Sequence, residues 1–209
     1  MNNFSGKEWL QHSFSIWRDI SKTSEERSTK HPALFPQELV ERLINIYTKN
    51  PGEVILDPFM GIGSTVLAAK NTNKQGVGVE LNPDFVSIAK ERLKNNQPDL
   101  LENPNELHSD FDPIIYNDDS RQLSNHIEEN SVDLVVTSPP YWDILNQKRT
   151  ADKKEIRNYS ESDEDLGNIE SYEEFLENLR QVFSEVYKVL KPNKRCISVV
   201  MDIRKKDKF

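Results

Sequence analysis

Short apolar runs alternate with amphipathic segments along most of the chain. Five short apolar runs predict strands, at 54–56, 76–81, 114–116, 132–136 and 196–203, and the first of them is typical of a buried parallel strand. Apolar residues at helical spacing predict helices at 37–49, 83–95 and 171–190, and a further helix that begins at Thr65. Because strand and helix patterns alternate, we expect an α/β fold with a mostly parallel sheet and helices on both faces.

The first 30 residues are polar and show no sustained period. We expect a partly ordered N-terminal arm over 1–30, docked onto the core by apolar residues, namely Trp9, Phe14, Ile16 and Trp17. Residues 31–209 then form one domain. This division agrees with the length of 209 residues, since a domain typically has about 100–200.

Two polar stretches, 96–113 and 143–170, interrupt the alternating pattern. The second is long for a loop within a compact domain, and loops of that length are usually functional or disordered. We treat 143–170 as a polar insertion, and we expect its acidic residues at 161–165 to lie in solvent.

A glycine-containing turn follows the first predicted strand, where residues 57–65 read DPFMGIGST. Its glycines allow the backbone to approach a ligand closely, and the N-terminus of the next helix offers unpaired N–H groups. The segment has neither the third glycine of a dinucleotide fingerprint nor the lysine of a phosphate loop. A tight turn without a ligand explains the same residues, so this motif alone decides nothing.

Acidic residues follow the second and third predicted strands. Glu80 stands about 20 residues after the glycines, where a carboxylate can accept hydrogen bonds from two ribose hydroxyls. Asp119, next to Ser120, can accept a hydrogen bond from an adenine amino group. A solvated carboxylate at Glu80 and an Asx turn or helix cap at Asp119 are the structural alternatives.

The fourth predicted strand ends in the loop 137–141, which reads TSPPY. Its two prolines stiffen the loop and lack N–H donors, while the carbonyls remain acceptors. The Ser138 hydroxyl and the Pro139 carbonyl can hold the hydrogens of an exocyclic amine, and Tyr141 can stack on a base drawn out of its helix. A proline turn with a packed tyrosine is the alternative. Since ligands sit at the carboxyl ends of parallel strands, we expect 57–65 and 137–141 to open into one crevice.

Together these motifs resemble those of the amino-methylating DNA methyltransferases, which modify cytosine N4 or adenine N6. The resemblance runs from about Lys30 to Ile203. It implies a Rossmann-like methyltransferase fold with S-adenosylmethionine as cofactor. Here the cofactor motifs precede the TSPPY loop, whereas in the beta group of the family that loop comes first.

The resemblance also implies roles for individual residues. His31 and Pro32 belong to a segment, 31–36, that helps to hold the methionine end of the cofactor. The remaining cofactor-binding residues implied are Asp57, Pro58, Phe59, Gly61, Gly63, Ser64, Thr65, Glu80, Asn82, Asp119 and Ser120. The catalytic residues implied are Ser138, Pro139, Pro140 and Tyr141.

The chemistry that the resemblance implies is direct methyl transfer to an exocyclic nitrogen of a base that has left the duplex. Acceptors at Ser138 and Pro139 turn the nitrogen lone pair toward the sulfonium methyl, and positioning supplies much of the rate. The sulfonium already carries positive charge, so no metal is required. Methylation at ring carbon 5 would need a cysteine in its own loop, but Cys196 lies within a predicted strand.

The residue before Pro-Pro-Tyr bears on which base is methylated, and alternative substrates stay open. Serine before Pro-Pro-Tyr is most often associated with the N4-cytosine enzymes, so cytosine is favoured over adenine. An RNA or protein amide methyltransferase shares the two motifs but usually has asparagine before the prolines. A catalytically incomplete cofactor-binding subunit is the other alternative.

The composition of the chain indicates which partners and which cellular compartment to expect. A net charge of -8 argues against a protein that coats nucleic acid, but not against an enzyme that contacts DNA through one local surface. A single cysteine excludes a disulfide framework and fits a reducing cytoplasm. No segment approaches the ~20 apolar residues of a membrane span, and the N-terminus does not have the pattern of a signal peptide. We therefore expect a cytoplasmic protein without a membrane partner.

The resemblance implies a closing antiparallel hairpin after the fifth strand, and no residues after Ile203 fit one. We therefore expect the C-terminal strands to be missing. A further segment or a second subunit would then complete the domain, and the 209-residue chain would bind cofactor better than it methylates DNA. DNA is the expected partner, and a cognate restriction endonuclease is a further candidate.

Overall fold

The computed structural model describes residues 4–28, 34–96, 111–142 and 165–200. These residues form one sheet of five strands, β1 (Val54–Asp57), β2 (Gln75–Glu80), β3 (Ile114–Asn117), β4 (Val132–Thr137) and β5 (Leu190–Ser198). The strand order is β3-β2-β1-β4-β5, and every pairing is parallel. The predicted α/β fold with a parallel sheet is confirmed.

Six helices accompany the sheet within the described residues. They are α1 (Gly6–His12), α2 (Ser24–Ser28), α3 (Gln37–Tyr47), α4 (Ser64–Asn71), α5 (Pro83–Asn95) and α6 (Tyr172–Val189). The sequence specifies some of these starts directly. The Asn82 side chain accepts a hydrogen bond from the Asp84 amide before α5, and the Ser171 hydroxyl accepts one from the Glu174 amide before α6.

Alternate residues of the central strands supply two hydrophobic clusters on opposite faces of the sheet. Leu56 of β1 and Val135 of β4 pack with the buried side of α6. Ile55 and Leu134, each the preceding residue in its strand, pack with α3 and α4. Both faces of the sheet are therefore covered by helices, which explains why the central strands carry apolar residues on both faces.

The fifth strand differs from the prediction of 196–203. It begins at Leu190, directly after α6, and ends at Ser198, while 201–203 lie outside the described residues. Val132 of β4 pairs with Leu190 of β5, and Leu134 pairs with Arg195. Because β5 has more residues than β4 between these two pairs, it forms a bulge. The polar residues 191–193, which lie between the predicted helix and the predicted strand, belong to this edge strand. Its bulge accommodates Pro192 because a proline there removes no ladder hydrogen bond.

Buried Asp133 of β4 stabilises this bulge. Its carboxylate contacts Lys191 Nζ at 2.7 Å and Lys194 Nζ at 2.9 Å, and it accepts a hydrogen bond from the Val54 amide at 3.0 Å. Lys194 Nζ also pairs with Glu53 Oε1 at 3.0 Å, so the two lysines of the bulge face two carboxylates. The contact joins β5 to the amino ends of β1 and β4.

The N-terminal arm contacts α3 through Trp17. This ring packs against the cluster around α3 and α4, and the Arg42 guanidinium lies 5.2 Å from its centroid. Arg42 also pairs with Asp19 at 2.7 Å. The other apolar residues expected to dock the arm are exposed, namely Trp9, Phe14 and Ile16. The division of the chain at residue 30 stays a prediction.

Parts of both predicted loops, 97–110 and 143–164, lie outside the described residues, as do His31 and Pro32. The described part of the second loop contains a 3₁₀ turn, Leu166–Asn168. In the part of the chain that the structure describes, no helix has both the length and the apolar character needed to cross a membrane.

Candidate active site

The site lies where the strand order reverses. From β1 the chain passes to β2 on one side, and it later returns to β4 on the other side, so β1 and β4 are neighbours. Ligands of open α/β sheets bind outside the carboxyl ends of the strands at such a point. One pocket there is lined by Gly61 from the loop after β1 and by Ser138 and Pro140 from the loop after β4. The two loops therefore open into the same pocket, as their positions at strand ends predict.

Most of the residues singled out in the sequence lie on the wall of this pocket. Ten of them line it, namely Pro58, Phe59, Gly61, Ser64, Glu80, Asn82, Asp119, Ser120, Ser138 and Pro140. Five others are not on its lining, namely Asp57, Gly63, Thr65, Pro139 and Tyr141. His31 and Pro32 lie outside the described residues, although Leu34 and Phe35, which follow them closely, do line the pocket.

Asp57 is completely buried and connects the two loops. Its carboxylate accepts hydrogen bonds from the hydroxyls of Thr65 and Thr137, each at 2.6 Å, and from the Phe59 amide at 3.0 Å. Burial raises the pKa of Asp57 to about 6, although the three hydrogen bonds oppose this shift. Because Thr137 ends β4 and Thr65 lies in α4, Asp57 fixes the loop after β1 against the loop after β4.

Two glycines shape the turn between β1 and α4. Gly61 and Gly63 have positive φ angles of 55° and 87°, a region that disfavours residues with a Cβ atom. A Cβ atom on Gly63 would lie 3.1 Å from both Ala89 Cβ and Val66 Cγ2. Glycine at 63 therefore satisfies both the backbone conformation and the close packing against α5.

Glu80 connects this turn to the end of β2. Its carboxylate accepts hydrogen bonds from the amides of Gly61 and Asn82, each at 2.8 Å. Burial raises the pKa of Glu80 to about 7; the two amide donors oppose the shift, and the nearby charges of Asp57 and Asp165 add to it. A partly neutral carboxyl group at neutral pH is thus part of the pocket wall.

The loop after β3 is attached to the same wall. The Ser120 hydroxyl donates a hydrogen bond to the Pro58 carbonyl, and Asp119 begins the 3₁₀ turn Ser120–Asn125. One Asp119 oxygen accepts a hydrogen bond from the Arg121 amide at 2.8 Å, and the other accepts one from Arg121 Nε at 2.7 Å. Asp119 therefore caps the turn, which was the alternative role predicted for it, and it also lines the pocket.

The Ser138 hydroxyl is held on two sides. It lies 3.2 Å from the Val199 carbonyl and 3.1 Å from the Tyr141 hydroxyl. A carbonyl can only accept, so Ser138 donates its single hydrogen to Val199 and Tyr141 donates to Ser138. One lone pair of the serine oxygen then remains to accept a hydrogen from a ligand.

Several residues on the pocket wall lie outside the motifs from which the site was predicted. Asp165 was expected in solvent with the other acidic residues at 161–165, but it is only 7% exposed and lines the pocket. That expectation was wrong for Asp165, whereas 161–164 lie outside the described residues. Leu166 of the adjacent 3₁₀ turn and Val182 of α6 also line the pocket. The apolar Leu166 and the capping pattern Asp165-Leu166-Gly167 were the available signals.

The pocket has features that suit S-adenosylmethionine. Glu80 and Asp119 present carboxylate acceptors for hydroxyl and amino donors, and Gly61 lets the backbone lie close to a ligand. Apolar side chains, such as Phe59 and Leu81, can contact a purine ring. Among the described residues that line the pocket none has a basic side chain, which favours a ligand that carries a positive sulfonium.

Three curated relatives show sequence similarity over part of the chain. The orphan methyltransferase M.BamHII of Bacillus amyloliquefaciens is 38% identical over 86 residues, which are 39% of this chain and 32% of that protein. The type II methyltransferase M.ScaI of Streptomyces caespitosus is 42% identical over 81 residues, 39% of this chain and 26% of that protein. For the type II methyltransferase M.HpaI of Haemophilus parainfluenzae the identity is 35% over 104 residues, 46% and 31% of the two chains. The chain thus spans about a third or less of the curated relatives it matches.

A solved structure and a family profile complete the comparison. Precorrin 8W decarboxylase from Methanobacterium thermoautotrophicum superposes with a TM-score of 0.51 at 13% identity, covering 81% of this chain and 66% of that one. This likeness concerns the fold alone. A family profile described as DNA methylase, with N6 and N4 methyltransferases as members, matches residues 2–91 and 132–207. Since these two segments make up more than half of the sequence, the chain belongs to the N6/N4 DNA methylase family.

Proposed function

We propose that this chain supplies the catalytic centre of an enzyme that transfers a methyl group from S-adenosylmethionine to an exocyclic amino group of a base in DNA. The observation that carries the proposal is the single pocket between the loops 57–65 and 137–141 at the reversal of strand order. Cytosine N4 is favoured over adenine N6 because serine precedes Pro-Pro-Tyr.

S-adenosylmethionine is the cofactor of this family and fold. When bound, it supplies an electrophilic methyl group on a positively charged sulfur. In the proposal, Glu80 accepts hydrogen bonds from the ribose hydroxyls and Asp119 accepts one from the adenine amino group. Asp57 acts from beneath the pocket, where it holds the two loops at a fixed separation.

At the loop after β4, we assign Ser138 of the pocket lining and the adjacent Pro139, which is not on the lining, to receive the amino group of the target base. The remaining lone pair of Ser138 accepts one amine hydrogen and the Pro139 carbonyl accepts the other. These contacts withdraw the amine hydrogens from the plane of the ring and turn the nitrogen lone pair toward the methyl group. The Val199 carbonyl accepts the hydrogen bond that the Ser138 hydroxyl donates. The serine oxygen therefore presents an acceptor rather than a donor to the base.

The base must enter this pocket from an unstacked position. Tyr141 is not on the pocket lining, but its hydroxyl lies 3.1 Å from that of Ser138, which keeps its ring near the mouth of the loop. The ring of Trp142 is fixed separately, since its indole N–H donates to the Ile169 carbonyl at 2.9 Å. Its ring centroid lies 4.9 Å from that of Tyr172. The aromatic residues after the prolines thus have different anchors, and we assign stacking on the base to Tyr141.

The direct test is the chemistry of the product. The gene that encodes the chain is expressed in cells that lack their own DNA methyltransferases, and nucleosides from DNA and RNA are quantified by mass spectrometry. We expect N4-methylcytosine in DNA. N6-methyladenine would correct the base, methylation of RNA alone would favour the RNA enzyme, and absence of methylation with retained cofactor binding would favour a cofactor-binding subunit.

Matched substitutions test the residues. Ser138→Ala and Tyr141→Ala should each lower methylation at least about tenfold while cofactor affinity stays within about twofold. Ser184→Ala and Tyr187→Ala are the controls, since both residues are exposed on α6 away from the pocket. Equal losses in the α6 variants, or full methylation by Ser138→Ala, would contradict the proposed roles.

A further inference from the structure

We propose that Arg121 is a positioning residue that makes the pocket selective for the adenine amino group, because it fixes the carboxylate of Asp119. The inference rests on the proposed function, in which Asp119 faces the adenine of the cofactor. Arg121 itself does not line the pocket and belongs to none of the motifs in the sequence.

Arg121 holds Asp119 through both carboxylate oxygens. Its amide donates to Oδ1 at 2.8 Å, while Nε and Nη2 donate to Oδ2 at 2.7 Å and 2.5 Å. The two side chains are largely buried, with 25% of Arg121 and 16% of Asp119 exposed. With Oδ1 and Oδ2 both held, the plane of the carboxylate is fixed and its unused lone pairs have set directions.

The far end of the guanidinium is fixed by α6. Arg121 Nη1 donates to Asn178 Oδ1 at 2.5 Å, and Asn178 Nδ2 donates to the Glu174 carbonyl at 2.9 Å. The position of Asp119 is therefore determined by α6 as well as by its own loop. A lysine at 121 could supply the charge but not this set of simultaneous contacts, because only a guanidinium presents several donors in one plane.

The surroundings of Asp119 make such a partner important. Asp119, Glu80 and Asp165 all line one pocket, and no basic side chain is present among the described lining residues. The Arg121 contact offsets the charge of Asp119 and prevents its carboxylate from rotating away from the pocket. Since an amino group donates while a ring carbonyl accepts, a fixed carboxylate favours adenine over a purine with oxygen at that position.

The test compares two ligands that differ at this position. S-adenosylhomocysteine and its deaminated analogue, in which hypoxanthine replaces adenine, are titrated calorimetrically into the full chain. We expect the unsubstituted chain to prefer the adenine ligand at least about tenfold, and Arg121→Ala to lower that preference about tenfold by weakening the adenine ligand. Arg121→Lys should retain part of the preference. Arg180→Ala is the control, since Arg180 lies exposed on α6 and pairs with Glu177.

The outcomes separate this inference from the proposed function. Equal weakening of both ligands by Arg121→Ala, or an unchanged preference, would overturn the positioning role while the assignment of Asp119 survives. If the unsubstituted chain binds neither ligand, or binds both equally, the assignment of Asp119 fails and the inference fails with it. Should thermal unfolding show that Arg121→Ala is not folded, Arg121→Lys and Asn178→Ala decide, and an unchanged preference in both refutes the proposal.

Discussion

Glu80 should couple cofactor binding to the release of a proton. Burial holds its pKa at about 7 in the free protein. Ribose hydroxyls that donate to this carboxylate would stabilise its ionised form, so the pKa falls when the cofactor binds. Binding is then favoured by the ionised form, and affinity increases as the pH rises through the pKa of the free protein.

The size of the effect follows from the fraction of ionised Glu80. With a pKa of about 7, the carboxyl group is about one-tenth ionised at pH 6 and about nine-tenths ionised at pH 8. If the bound form stays ionised throughout, affinity should be about tenfold weaker at pH 6 than at pH 8, and about half a proton should be released at pH 7.

Calorimetry measures both quantities. S-adenosylhomocysteine is titrated at pH 6, 7 and 8, each in two buffers of different ionisation enthalpy, so that proton release appears as a buffer-dependent heat. Glu80→Gln is the control and should bind more weakly with little change between pH 6 and 8. Affinity that is constant or falls with rising pH, or a slope that persists in Glu80→Gln, would refute the reasoning.

Three other predictions concern stability and chemistry. Gly63→Ala should lower the free energy of unfolding in urea by at least about 1–2 kcal/mol, because φ is 87° there, and an unchanged midpoint would contradict this. Thr137→Val removes a donor from buried Asp57 and should cost about 1.5–3 kcal/mol at pH 8. That cost should shrink at pH 5, where Asp57 with a pKa of about 6 is protonated, whereas Thr48→Val, which removes a bond to a backbone carbonyl, should show no such pH dependence. Cys196→Ser should leave methyl transfer within about twofold, because Cys196 lies in β5 and is not on the pocket lining; loss of transfer would implicate the cysteine as a nucleophile.

The motif at 137–141 shows how much of the site a local sequence pattern can predict. Strand ends could be located because apolar runs stop there, and residues that follow parallel strands must meet at one edge of the sheet. The sharing of one pocket by Gly61 and Ser138 was therefore predictable. The helices were predictable for a similar reason, since their apolar spacing and capping residues are properties of a few consecutive positions.

The sequence by itself determined the alternation of strands and helices and the chemistry of the loops after β1 and β4, since these depend on neighbours along the chain. The tertiary structure decided which distant groups meet. Asp133 pairs with the two lysines of the bulge, and this contact allows β5 to begin at Leu190. The pocket wall next to Glu80 buries Asp165. Arg121 reaches Asn178 on a helix that is far away in sequence. The periodicity of the sequence does not encode such contacts. They form only when separate elements pack, because a charge buried by that packing is costly unless it is paired.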